Sequence, residues 1–97
     1  MTTDFVAYDD LPRADEESLR ARASELIALA EGLGLTNLRY ASSNRIVVTL
    51  TEHVETLGEY RFAEKASYLL GLQVRVYDDA VLRNPGVSPD LLAATPL

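Results

Sequence analysis

Apolar residues along this chain recur first every three or four positions, then every second one, and then both rhythms repeat. From Asp15 onward, Leu19, Ala23, Leu26, Ile27, Ala30 and Leu33 keep helical spacing, which predicts one amphipathic helix. Asp15, Glu16 and Glu17 stand at its start, where the helix dipole favours negative charge, and Gly32 and Gly34 close it. "LTNLRYA" and "RIVVTLT" then alternate on either side of a polar turn, Ser42-Ser43-Asn44, and predict a β-hairpin. Leu38 and Tyr40 of the first arm share an apolar face with Ile46, Val48 and Leu50 of the second. Asn37, Arg39, Arg45, Val47 and Thr49 point the other way.

"VETLGEYRFAEKASYLLG" returns to helical spacing, with Phe62, Ala66, Leu69 and Leu70 on one stripe and Gly71 as a C-cap. "LQVRVY" is a third strand, Val74 and Val76 inward, Gln73, Arg75 and Tyr77 outward. Residues 1–14 hold "DFVAY", stopped by the charges and proline of "DDLPR", and read as an edge strand or an extended arm. Residues 80–97 contain three prolines and form a tail with room for one helical turn around Asp90–Ala94. The order (β)αββαβ is that of an α+β fold, a two-layer α/β sandwich with one domain over residues 15–79. If "DFVAY" is a strand, the same order fits a ferredoxin-like fold.

One sheet face of such a sandwich carries no helices. It would display Arg39, Arg45, Thr49, Gln73, Arg75 and Tyr77 together with Asn37. Read plainly, these residues solubilise an outer face; read functionally, they form a docking surface for a partner or an anion. Fifteen acidic residues against nine basic ones, a net charge of -6, disfavour general attachment to nucleic acid, which depends on neutralising phosphates. The same charge suits a partner with a basic surface. No cysteine is present, so neither a disulfide framework nor a thiolate metal site is expected. No apolar run is long enough for a membrane span, and the acidic "MTTDFVAYDD" lacks the pattern of a secretory signal. A cytoplasmic protein without cofactor or metal is the expectation.

Catalytic signatures are sparse. His53, the only histidine, lies in "TEHVE" beside Glu52 and Glu55 and reads as a surface residue. Ser42, Ser43 and Ser67 have no sequence context that would activate a nucleophile. Glu59, Arg61, Glu64 and Lys65 read as the solvated face of the second helix.

"LGLTNLRYASS" resembles the helix end and first strand that lead to the Gly-Ser of the minimal nucleotidyltransferases, small enzymes often encoded beside a helical toxin partner. "ASYLLGLQVRVYDDAVLRNPG" is similar to that family's last helix, third strand and following segment. The resemblance runs from Glu25 to the Pro85-Gly86 turn, roughly two-thirds of the chain. It implies a truncated nucleotidyltransferase-like fold. The catalytic part departs from the family pattern: Ala41-Ser42 stands for Gly-Ser, and the helix that should follow is missing. Counted back from Leu70-Gly71, the Asp-x-Asp positions fall at Ser43 and Arg45, and the third carboxylate position at Arg75. A shift of one residue gives Asn44 and Ile46, still no acid. Two magnesium ions need several carboxylate oxygens on one surface, and guanidinium groups would repel them.

The resemblance therefore implies a non-catalytic, antitoxin-like pseudoenzyme that binds and neutralises a cognate protein, a toxin encoded by an adjacent gene. The sheet face, the N-terminal arm or the tail would make the contact, "DFVAY" or "LLAATPL" adding to the partner. A ferredoxin-like domain binding a small ligand or RNA, or dimerising through its sheet, is the alternative. The third reading is an active transferase using other acids such as Glu52 or Asp78.

Overall fold

The computed structural model describes residues 7–97. Helix α1 (Glu16–Ala21) begins at a reciprocal cap: the Ser18 N–H donates to Asp15 Oδ1 at 2.8 Å, and the Asp15 N–H donates to Ser18 Oγ at 3.1 Å. The expected single helix is two, because Arg22 leaves the helical region (φ -114°, ψ 23°) before α2 (Ala23–Gly32). A tight bond from the Arg22 N–H to the Leu19 carbonyl, 3.3 Å, closes α1 with a 3-10 turn. Leu19 and Leu26 lie on either side of the break and are both fully buried.

Strands β1 (Leu35–Ser42) and β2 (Arg45–Leu50) form the expected antiparallel hairpin. The turn between them is shorter than the polar run suggests, since Ser42 still pairs with Arg45 and only Ser43 and Asn44 turn. Ser43 takes φ 50° there. β1 also carries a bulge: the register slips between Thr36 and Arg39, and Asn37 takes φ 54°. Strict alternation would put Leu35 and Leu38 on opposite faces; the extra residue lets both reach the core.

Helix α3 (Gly58–Leu70) starts later than the sequence pattern suggests and ends at Gly71, whose φ of 67° is the left-handed conformation of a C-cap. It buries Phe62, Ala63, Ala66 and Ser67. Leu69, expected on that stripe, is 40% exposed and lines a groove between α2 and α3. Ser67 joins the layers, donating to the Ala63 carbonyl at 2.6 Å and accepting from the Val74 N–H at 2.9 Å. The crossover through α3 sets β3 (Arg75–Asp78) parallel to β2, with Arg45 opposite Arg75 and Val47 opposite Tyr77.

β3 lies directly beside β2, in a sheet of order β3-β2-β1-β4. A ferredoxin-like sheet would place another strand between those two, so the two-layer sandwich is of a different topology. The main core, centred on Leu19, Leu26, Leu35, Ile46, Val48 and Phe62, sits between this sheet and the long helices.

The second sheet face is not bare. A 3-10 turn (Asp79–Arg83) and the short helix α4 (Pro89–Leu92) cross it, and β4 (Thr95–Pro96) pairs antiparallel with β1. Leu91 and Val47 are buried apart from the main core, 6% and 0% exposed. Arg20 donates to the Pro96 carbonyl and to Thr95 Oγ1, both at 2.9 Å, and fastens the strand to α1. "LLAATPL", expected as a segment free to add to a partner, thus adds to the sheet of its own chain. The expected strand over "DFVAY" falls outside the described residues except for Ala7 and Tyr8, and Tyr8 opens a 3-10 turn that ends at Asp10. Arg13 then bridges Gln73 in parallel.

Candidate functional site

Three segments converge at the start of β3. The Gln73 N–H donates to the Pro12 carbonyl at 2.6 Å, and the Ala14 N–H donates to the Gln73 carbonyl at 2.9 Å. The Asn44 amide donates to both the carbonyl and the side-chain oxygen of Gln73, each at 3.2 Å. Gln73 in turn donates to the Asp9 carbonyl at 3.1 Å. Asn44 and Gln73 are 3% and 6% exposed, and buried amides stay inside only when bonded in this way. Their network ties the segment before α1 to the hairpin turn and to β3.

That junction holds a shallow depression of about 430 Å³ lined by Arg13, Ser42, Ser43, Asn44, Arg45, Arg75, Tyr77 and Asp90. Arg45 is half-buried; one of its N–H groups donates to Asp90 at 3.2 Å, and its guanidinium lies 5.7 Å from the centre of the Tyr77 ring. The Ser42 hydroxyl donates to the same Asp90 carboxylate at 2.5 Å. This hydrogen bond, with the Arg45 charge behind it, holds the Asp90 carboxyl below the usual carboxylate range. Arg13 and Arg75 are exposed, and neither has a carboxylate partner among the described residues.

The residues expected on one open face divide into two groups. Arg45, Arg75 and Tyr77 meet in the depression, where Ser43, expected as a degenerate catalytic position, joins them. Arg39 and Thr49 do not: Arg39 pairs with Asp79 at 3.5 Å, Thr49 donates to Asp79 at 2.7 Å, and both are half-buried. Asn37 donates to Thr49 at 3.2 Å, beside that cluster. Gln73, expected to point outward, is buried because its amide anchors the junction. Sequence reasoning missed Arg13, Asn44 and Asp90. Asn44 follows two serines and reads as an ordinary turn residue, whereas Arg13 and Asp90 come from segments without strand or helix periodicity.

The other candidates for chemistry lie apart. His53 is 3.5 Å from Glu52, with side chains 83% and 88% exposed. Asp78 caps the following 3-10 turn through the Ala80 N–H at 3.0 Å. Among the described residues, no three His, Cys, Asp or Glu side chains are grouped to hold a metal. No described helix is long and apolar enough to cross a membrane. Neither a family model, nor a curated protein, nor a solved structure matches the chain.

Proposed function

We propose that this chain is a non-catalytic binding protein that docks an acidic region of a partner protein in the arginine depression beside β3. One observation carries the reading: in a chain of net charge -6, Arg13, Arg45 and Arg75 gather around one depression in which Asp90 is the only lining carboxylate among the described residues. Arginine forks make paired, charge-assisted bonds to carboxylates, and such contacts give both attraction and register. The site is held by the buried Asn44–Gln73 network, so its backbone is set before any partner arrives. The antitoxin-like role implied by the resemblance is the narrower form of this proposal, with a toxin as the partner and the cytoplasm as the place of action. Its sign differs from composition alone: the acidic chain would meet its partner through a local basic site.

Co-expression of the tagged full chain with the product of its neighbouring gene tests the reading. The expected result is a complex that survives purification with the wild type and weakens at least tenfold, about 1.4 kcal/mol, with Arg75→Glu. Arg75 is exposed, so the change leaves the fold intact. No complex, or a complex indifferent to Arg75→Glu, overturns the proposal.

A further inference from the structure

Arg45 and Arg75 stand opposite each other in register on adjacent parallel strands, about 4.8 Å apart by sheet geometry. Like charges directly opposite on neighbouring strands repel, and the arrangement favours an anion that both can reach. Asp90 supplies one negative charge and spends it on Arg45 and Ser42. Among the described residues that line the depression, three guanidinium groups face that one carboxylate, a surplus of two positive charges in its lining. Both surplus charges, those of Arg13 and Arg75, sit on exposed side chains.

We infer that the depression recognises a phosphate monoester dianion carried on a side chain of the partner. The inference rests on the docking function proposed above and names its ligand. A partner carboxylate brings one negative charge and would leave a guanidinium unmatched. A phosphorylated side chain brings roughly 1.5 to 2 negative charges at neutral pH and three acceptor oxygens, enough for two arginine forks. Arg75 and Arg13 take the phosphate. Arg45, already aligned by Asp90 and the Tyr77 ring, contributes its remaining N–H groups from the floor. The Asp90 carboxylate bars an anion from the α4 side, so the ligand enters over β3.

NMR titration of the full chain with a short glycine-serine peptide carrying one phosphoserine, and with the same peptide carrying aspartate, tests the inference. The phosphopeptide is expected to bind at least tenfold more tightly, shifting the amide signals of Ser43 and Arg75. Arg75→Gln is expected to remove that preference while leaving the rest of the spectrum in place. Inorganic phosphate is expected to compete for the same signals, more weakly than the peptide; equal binding by inorganic phosphate would instead point to a free phosphate compound and overturn the assignment to a side chain. Equal affinity for the two peptides, or a preference that survives Arg75→Gln, overturns the inference outright. Phosphatase treatment of the co-purified partner separates the two proposals. An Arg75-dependent complex that phosphatase leaves intact removes the phosphate and keeps the docking function, whereas the absence of any such complex removes both.

Discussion

Asp90 is the residue whose role is least visible in its neighbourhood of the chain and clearest in the fold. It accepts from Ser42 on β1 and Arg45 on β2, forty-eight and forty-five positions away. Its carboxyl is held low by those bonds, so the folded chain keeps it ionised at pH values where the unfolded chain begins to take up its proton. The contribution of the latch is therefore fully present above the unfolded value, about 3.9, and is lost as pH falls through the lower folded value. Urea denaturation should show Asp90→Asn less stable than the wild type at pH 7, with the difference shrinking as pH falls below about 3.9. A difference that persists unchanged in acid would mean that Asp90 acts through packing and not through its charge. Arg45 and Arg75 were legible from the sequence as residues of one face, since strand alternation assigns faces without knowing what covers them. Gln73 was not, because a side chain two positions from Arg75 can share its direction and still be enclosed by a segment from sixty residues earlier.

At the scale of the element, the two left-handed glycines end helices for different reasons. Gly71 has φ 67° with open space where a Cβ would stand, so only the backbone conformation demands glycine. Gly34 has φ 81°, and a Cβ there would run into the backbone of His53 and Val54. The Gly34 carbonyl also accepts from the Thr51 N–H at 3.0 Å and the Thr51 hydroxyl at 2.8 Å, joining the start of β1 to the end of β2. Gly71→Ala should cost about 1–2 kcal/mol, the penalty of an L-residue in that region. Gly34→Ala should cost clearly more, because the backbone must also move; denaturant midpoints of the two variants decide the order. Helix existence and the hairpin followed from periodicity, and both glycines were readable as stops. The break at Arg22 and the bulge at Asn37 were not readable. The bulge is a one-residue adjustment that brings Leu35 and Leu38 onto the same core, and period counting has no means of seeing either irregularity.

Over the whole molecule, the C-terminal segment converts an open sandwich into a sheet clad on both faces. Its apolar anchor is Leu91 of α4, which, like Val47 of β2, is buried away from the main core. Leu91→Ala should lower unfolding free energy by about 2–3 kcal/mol, within the range for a buried leucine, and expose apolar surface under α4. Chemical denaturation and binding of a hydrophobic dye check both outcomes; a change under about 0.5 kcal/mol, the level of ordinary surface substitutions, would mean that the cover is not part of the cooperative unit. The same cladding removes Arg39 and Thr49 from any docking surface by giving them to Asp79, and concentrates the open arginines at one end of the sheet.

The layers were set locally: the helical and alternating periods, a polar turn within Ser42-Ser43-Asn44, and the C-cap at Gly71 are consequences of side-chain direction and backbone freedom along the sequence. The sequence by itself also determined that Arg45 and Arg75 share a face. Tertiary structure alone decided that β3 lies against β2, that residues after Asp78 return over the second face, and that Arg13 arrives from the other end of the chain to complete the basic depression. Those outcomes depend on contacts between segments dozens of residues apart. Periodicity records which way a side chain points, but burial and charge pairing are properties of what the rest of the chain brings to meet it.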